Sequence, residues 1–225
     1  MKSKGLPAIT WTLVAINLIV FIWDREGRIF GPPVVFSDVA MRPNEVARAL
    51  LNLLAGDPSY SFPFATLFMS MFMHVDPLHL IGNMLFLLAF GRNVESAFGP
   101  FRYMLYYLFW GVAAGAVQVI VDPRSPVPIV GASGAIGGVL GAYLLLFPSA
   151  RIRILVPNLL FLPLTLDAWV LLGVWFLWQI LLPQDGVASW AHAGGFLAGM
   201  VTVLIMGGPG KILPNRRESE GVIDV

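Results

Sequence analysis

The chain has 225 residues, of which 57% are hydrophobic and 12% charged, with no cysteine and a formal net charge of +1. An average soluble domain has roughly a quarter of its residues charged, whereas only ten charged side chains fall between Phe62 and Gly210. These numbers exclude a soluble domain, a disordered chain, a disulfide-rich secreted domain and a nucleic-acid-binding domain, and they predict a polytopic membrane protein.

Six apolar runs, bounded by glycine, proline or charged residues, predict six transmembrane helices and therefore an all-α fold. The first run, Leu6–Trp23, is followed by charged residues and by no small-residue cleavage site, so it is expected to be retained rather than removed as a signal peptide. The other five runs are Phe72–Phe90, Phe101–Val121, Ser133–Phe147, Leu166–Leu182 and Val187–Met206.

The segments between and after these runs complete a predicted single membrane domain of residues 1–210. Residues 24–61 are expected to form an outer loop in which Asn44–Leu54 is an amphipathic interfacial helix. Ile154–Leu162 is apolar but broken by proline, which favours an interfacial or re-entrant segment over a seventh span. Residues 211–225 are expected to be a polar cytoplasmic tail.

The distribution of basic residues predicts the orientation of the helices. With the N-terminus inside, nine basic residues fall on the cytoplasmic side and five on the outer side, so both termini are expected in the cytoplasm. The small size and the absence of an organelle-targeting sequence favour the plasma membrane of a prokaryote. Arg92 and Glu95 are expected to cap the cytoplasmic end of the second helix.

Polar side chains inside apolar helices are costly, which makes them candidates for a functional site. His79 and Asn83 are four residues apart and share one face of the second helix. Ser133 begins the fourth helix after a proline-rich connector, and His192 lies early in the sixth. Each also has a plainer interpretation, as a histidine that hydrogen-bonds a neighbouring helix or a serine that caps a helix N-terminus.

The length of the fourth helix predicts the depth of these groups. Its 15 residues give about 22 Å of helix against a bilayer core about 30 Å thick, so this helix is too short to span. If its cytoplasmic end is fixed by the arginines that follow it, Ser133 lies below the outer surface. His192, His79 and Asn83 lie a similar distance into their own helices. Four polar groups from three helices are therefore expected in one layer.

Glycines predict which helices meet at that layer. Small residues four apart occur on the fourth helix at Gly134 and Gly138, and on the sixth helix at Gly195 and Gly199. Such faces let two helix backbones approach closely in a membrane. We expect this packing to bring the serine of one helix to about 3 Å from the histidine of the other.

The expected chemistry of this group is acyl transfer. A serine hydroxyl becomes a nucleophile when a base takes its proton, and His192 is the candidate base for Ser133. The backbone N–H of Ser133, the Asn83 amide and His79 are the candidate donors to the developing oxyanion. No acidic residue in the predicted spans is placed to orient His192, so a dyad is expected rather than a Ser-His-Asp triad.

In these motifs the chain resembles the rhomboid family of intramembrane serine proteases, over about residues 64–200. The motifs that carry the resemblance are His74-(four residues)-His79-Leu-Ile-Gly-Asn83, Gly131-Ala-Ser133-Gly134 and Ala191-His192-Ala-Gly-Gly195. The resemblance implies that Ser133 is the nucleophile and His192 the base, with His79 and Asn83 in the oxyanion hole. It also implies cleavage of membrane-anchored proteins in or near their spans, with no metal and no cofactor.

Two features depart from the family's pattern. The position four residues after the serine, often an aromatic residue that stacks on the histidine, is Gly137, and the outer loop has no Trp-Arg pair. Among other polar and aromatic residues of the fifth helix, Asp167 and Gln179 are expected to be polar contacts or interface anchors, and Trp175 a packing or interfacial residue.

Three functions are compared on this basis. A small transporter favours ionisable groups at the bilayer midplane and repeat-related broken helices, and the sequence has neither. A non-catalytic relative that binds transmembrane segments should lack the serine or the base, and both are present. The leading hypothesis is therefore an intramembrane serine endopeptidase that acts on single-span membrane proteins in the lipid bilayer, with its active site open to the outer side.

Overall fold

The chain folds mainly into α-helices, and the computed structural model describes residues 7–156, 162–182, 187–213 and 222–224. The described helices are, in chain order, α1 Ala8–Asp24, α2 Phe36–Val39, α3 Pro43–Leu54, α4 Phe62–Met69, α5 Pro77–Phe86, α6 Arg92–Phe98, α7 Pro100–Val121, α8 Ser133–Leu146, α9 Ala168–Leu181, α10 Ser189–Ile205 and α11 Pro209–Ile212. The short helical turns are Pro58–Tyr60 and Ser70–Phe72, of 3₁₀ type, and Leu87–Gly91, of π type. The strands are β1 Arg151–Val156, β2 Leu162–Asp167 and β3 Val222–Asp224.

Most of the predicted apolar helices are present with boundaries that agree to within two residues. This holds for α1, α7, α8, α9 and α10, and for the amphipathic helix α3. The predicted shortness of the fourth helix is also observed, because α8 has 14 residues and therefore a length of about 21 Å.

The second predicted helix has different boundaries. Instead of Phe72–Phe90, the helical run extends from Pro77 to Phe98 through the π turn and α6. Gly91 does not end the helix but makes room for a neighbour, since a Cβ there would lie 2.5 Å from Tyr103 Oη.

Glu95 has a different role from the one predicted, and the expectation that it caps the second helix is wrong. Its carboxylate accepts hydrogen bonds from the backbone N–H of Ile9 at 3.0 Å and of Thr10 at 2.8 Å, and from the Thr10 hydroxyl at 2.7 Å. Glu95 therefore caps the N-terminus of α1, where backbone N–H groups have no partner within the helix.

The six predicted membrane crossings are supported only in part. Among the described residues, α7 is long and apolar enough to cross a bilayer, and the runs Pro58–Phe72 and Pro77–Phe98, bent by 80°, form a second crossing if they are taken together. Helices α1, α8, α9 and α10 are apolar but have 14 to 17 residues. The count of six remains a prediction.

A small sheet corrects the expectation of an all-α fold. β1 pairs antiparallel with β2, with Arg151 opposite Asp167, and parallel with β3. The described parts of Ile154–Leu162 are therefore strand, while 157–161 lie outside the described residues. Residues 222–224 of the predicted tail form strand β3, which pairs with β1. Residues 214–221 and 225 lie outside the described part of the chain.

Helix α8 lies at the centre of the protein, and every residue from Ala135 to Tyr143 is buried. It packs against α10 with backbone in contact with backbone. A Cβ added to Gly195 would collide with the carbonyl of Gly134, and a Cβ added to Gly199 with that of Gly138. The four glycines expected at a helix contact therefore lie at the α8–α10 contact.

Candidate active site

A cavity of about 490 Å³ lies where α7 ends and where α8 and α10 begin. Its lining includes Ser133 and His192, together with His79 of α5 and Gln118 of α7. The connector between α7 and α8 forms another part of the wall. Polar side chains from four different helices therefore meet around one space in an otherwise apolar protein.

The serine and the histidine of this group are hydrogen-bonded to each other. Ser133 Oγ lies 2.8 Å from His192 Nε2, and both residues are partly buried. The residue at the N-cap position of α8 is Ala132 rather than Ser133, so the interpretation of Ser133 as a simple capping residue is wrong. The glycine contact between α8 and α10 brings these two side chains together.

The connector before α8 is held in place by backbone hydrogen bonds. Met41 and Ile129 exchange N–H···O bonds of 3.0 and 2.8 Å, and the Gly131 N–H donates to Ser70 O at 2.9 Å. Gly131 has φ +120°, and a Cβ there would lie 2.8 Å from Cε1 of His79. Only glycine fits this turn well, both in backbone conformation and in space.

His79 reaches the cavity because the start of α5 is fixed by side chains. Asp76 caps this helix, accepting from the His79 N–H at 2.8 Å. Arg25, which is 1% exposed, donates to His74 O at 2.9 Å and to Val75 O at 2.7 Å. Arg25 is one of the five basic residues predicted on the outer side, and no sequence pattern around it signals this further role.

Asn83 is the one candidate that the structure does not bring to the cavity. Its amide nitrogen donates to His79 O at 3.0 Å, and the side chain is buried away from the cavity lining. The structure therefore brings Ser133, His192 and His79 together, and it places Asn83 one helical turn away as a support for the His79 turn.

The histidine also has neighbours on α9. His192 Nδ1 lies 2.9 Å from Gln179 Oε1, and the Trp175 ring is stacked at 6.1 Å from the imidazole with an interplanar angle of 29°. Gln179 was expected to be a polar contact, and its contact is with the histidine of the site. The sequence signal was an amide side chain in an apolar helix, as it is for Gln118, whose Oε1 accepts from the Ala191 N–H at 3.1 Å.

No metal centre is formed by the part of the chain that the structure describes, since no group of three or more histidine, aspartate or glutamate residues is placed to hold an ion. The polar side chains that line the cavity include serine hydroxyls, the imidazoles of His192 and His79, the Gln118 amide and the carboxylates of Asp76 and Asp122. These groups can take, give and stabilise protons and negative charge, which is what acyl transfer requires.

Comparison with known proteins gives one consistent result. The family model described as Rhomboid domain matches residues 62–209. The chain is 42% identical over 137 residues to Rhomboid-like protein 11, chloroplastic, of Arabidopsis thaliana, which is 60% of this chain and 41% of that protein. It is 27% identical over 231 aligned positions to Rhomboid protein 1, mitochondrial, of Saccharomyces cerevisiae, covering 89% and 64%. It is 28% identical over 211 positions to Rhomboid protease GluP of Bacillus subtilis, covering 92% and 36%.

The chain spans less than two thirds of the length of each of these relatives. Two of their names specify chloroplasts or mitochondria, and the third relative is a bacterial protein.

Proposed function

The chain belongs to the rhomboid family, and from this membership and the contact between Ser133 and His192 we propose that it is an intramembrane serine endopeptidase. As a member of this family it is an integral membrane protein. The observation that carries the proposal is the 2.8 Å distance from Ser133 Oγ to His192 Nε2 at the wall of a cavity large enough for a peptide segment.

In the proposed reaction His192 Nε2 takes the proton of Ser133 as Oγ attacks the carbonyl carbon of the scissile bond. The tetrahedral intermediate collapses when the C–N bond breaks and the imidazolium gives its proton to the leaving amine. Water then attacks the acyl-enzyme, with His192 again acting as base, and the carboxylic product leaves while Ser133 regains its proton.

The negative charge on the substrate oxygen needs N–H donors close to Ser133. The backbone N–H of Ser133 lies in the first turn of α8, where N–H groups have no partner within the helix. His79 is the proposed side-chain donor, since its ring lies beside the Gly131 turn that leads to Ser133. Asn83 uses one of its two amide hydrogens on the His79 carbonyl and does not line the cavity, so its proposed contribution is mainly through the position of His79.

The proposed substrates are single-span membrane proteins, cleaved in or near the span. A helix offers no free backbone carbonyl for attack, so the segment must unwind locally to enter the cavity. The glycine-lined contact of α8 with α10 leaves little room beside Ser133, which favours small side chains next to the scissile bond. Hydrolysis also needs water, which we propose reaches the cavity from the outer side, because the bilayer core supplies none.

The proposed topology has six crossings, both termini in the cytoplasm and the cavity on the outer side of a prokaryotic plasma membrane. It is supported by the excess of basic residues at the ends opposite the cavity. The chain has no cysteine, so single cysteines introduced at Ser149 and at Tyr60 can be labelled in whole cells by a membrane-impermeant maleimide. The topology requires labelling at position 60 and none at position 149.

The test of the function is cleavage of a single-span reporter by the purified protein in detergent. We expect the wild type to cleave, and both Ser133→Ala and His192→Ala to lose cleavage with the fold intact. The matched control is Ser149→Ala, which removes an exposed serine remote from the cavity and should cleave as the wild type does.

An active-site serine probe such as a fluorophosphonate separates the remaining outcomes. Cleavage that persists in Ser133→Ala would exclude the proposed mechanism. Absence of both cleavage and Ser133 labelling in the wild type would favour instead the alternative function, a non-catalytic rhomboid relative that binds transmembrane segments.

A further inference from the structure

The two ring nitrogens of His192 face different helices. Nε2 contacts Ser133 Oγ of α8 at 2.8 Å, and Nδ1 contacts Gln179 Oε1 of α9 at 2.9 Å. An amide oxygen can only accept a hydrogen bond, so the proton of a neutral imidazole in this contact is on Nδ1. Nε2 then keeps its lone pair, which points at the serine hydroxyl, and this is the tautomer that a base for Ser133 needs.

The plane of the imidazole is also supported from α9. Trp175 is stacked on the His192 ring and packs in turn against Phe196, with ring centroids 5.9 Å apart. Trp175 and Gln179 are four residues apart and therefore share one face of α9. The same side of α9 thus contacts the imidazole twice: Gln179 at the ring nitrogen Nδ1 and Trp175 against the plane of the ring.

Helix α8 offers no side chain for the same purpose. Gly137, one turn after Ser133, faces the backbone of His192, and a Cβ there would lie 2.7 Å from His192 O and 3.3 Å from the Phe196 nitrogen. The backbone contact between the two helices therefore excludes any larger residue at this position. Support for the ring has to come from another helix, and α9 provides it.

We propose that Gln179 is a positioning residue that holds His192 in its Nδ1–H tautomer, with Trp175 fixing the plane of the ring. The inference rests on the proposed function, since the tautomer matters for catalysis only if His192 is the base for Ser133. His192 then lies between Ser133 and Gln179, and a neutral amide occupies the place that a carboxylate has in a Ser-His-Asp triad. Gln179 does not line the cavity, so it acts through its contact with His192.

Two substitutions of Gln179 separate the hydrogen bond from the shape of the side chain. Gln179→Met keeps the length and removes the acceptor, whereas Gln179→Glu keeps an oxygen that accepts from Nδ1–H. The matched control is Leu177→Met, which introduces the same side chain on an exposed position of α9. Gln179 is itself only partly buried, so none of the three changes removes a core residue.

Reporter cleavage and fluorophosphonate labelling of Ser133 measure the catalytic effect. We expect Gln179→Met to lower both kcat and the labelling rate about tenfold, the value of one lost hydrogen bond near the upper end of the usual range, with KM within about twofold. Gln179→Glu should recover most of this loss, and Leu177→Met should match the wild type. A Gln179→Met enzyme that labels at the wild-type rate, or a loss confined to KM, would overturn the proposal.

The tautomer can be observed without any proteolysis. The chain has three histidines, so ¹⁵N-histidine spectra are simple, and the His192→Ala spectrum assigns the His192 ring. The wild type should show the proton on Nδ1, and Gln179→Met a mixture of the two tautomers. A wild-type ring protonated on Nε2 refutes the inference whatever the activity. If the expected tautomer is found but the wild type neither cleaves nor labels, it is the proposed function that fails.

Discussion

Replacing Gly195 by alanine is expected to push α10 away from α8 at the level of the site. The new Cβ would collide with the Gly134 carbonyl oxygen and would lie 3.0 Å from its carbon and 3.3 Å from the Gly138 nitrogen. Carbon atoms in normal contact are about 3.5–4.0 Å apart, so the helices must separate by about 0.5–1 Å or more. All three obstacles are backbone atoms, which no side-chain rotation can move aside.

This separation acts directly on the proposed catalytic pair. Gly195 lies one helical turn after His192, so most of the displacement is transmitted to the imidazole. The distance from Ser133 Oγ to His192 Nε2, now 2.8 Å, would increase to about 3.3–3.8 Å, at or beyond the limit of a hydrogen bond. A misplacement of about 1 Å can cost about 100-fold in rate, and overpacking costs about 1–3 kcal/mol in stability.

Reporter cleavage in detergent, together with the unfolding temperature, measures both effects. We expect Gly195→Ala to lose about 100-fold in initial rate and to unfold at a lower temperature than the wild type. The control is Gly173→Ala on α9, where an added Cβ meets nothing within 4 Å, and it should keep the wild-type rate. A Gly195→Ala enzyme that cleaves within twofold of the wild type would refute the backbone contact between α8 and α10.

Three further substitutions separate the site from the rest of the fold. Gly131→Ala places a Cβ 2.8 Å from the His79 ring at φ +120° and should lower the rate of reporter cleavage at least tenfold; wild-type cleavage would mean that His79 is not beside this turn. Arg25→Met removes one buried and one partly buried hydrogen bond to the backbone before α5 and should lower the free energy of unfolding by about 3 kcal/mol. Reversible unfolding in mixed detergent measures this loss, and an unchanged free energy of unfolding would contradict the prediction. Glu95→Gln weakens the cap of α1 and should lower the free energy of unfolding by about 1–3 kcal/mol. It should leave kcat unchanged, because Glu95 is remote from the cavity; a lower kcat under conditions where the variant is fully folded would contradict this.

The features that the sequence predicts well are those that composition marks locally. The starts of α7 and α8 agree with the predictions because a segment with proline, glycine or charged residues is followed there, within a few residues, by an apolar run. The proximity of Ser133 and His192 could be anticipated because glycines four apart mark the faces through which α8 and α10 touch. Each of these signals lies within one helix or one turn.

The predictions that differ from the structure concern residues whose role depends on a contact with a part of the chain distant in sequence. Gly91 followed by Arg92 is typical of a helix end, but the glycine is needed for the Tyr103 hydroxyl on α7 and the helix continues. β1 has a local signal, the exposed Arg151 and Arg153 on either side of the buried Ile152, which is the alternation of a strand. The apolar residues that follow Arg153 favour an interfacial or re-entrant membrane segment instead, so the strand was not predicted.

The two glutamines of the apolar helices show why the histidine environment could not be read from sequence. Gln118 of α7 accepts from the Ala191 N–H, one of the backbone groups that the first turn of α10 leaves without a partner in the helix, and Gln179 of α9 contacts the next residue, His192. A buried amide is costly without a partner, so each glutamine indicates a partner but not which one. The structure shows that the two partners, Ala191 and His192, lie on the first turn of α10. That turn is thus held by hydrogen bonds from two helices and by backbone contact with α8, and the rotational freedom of His192 is restricted from three sides before any substrate binds.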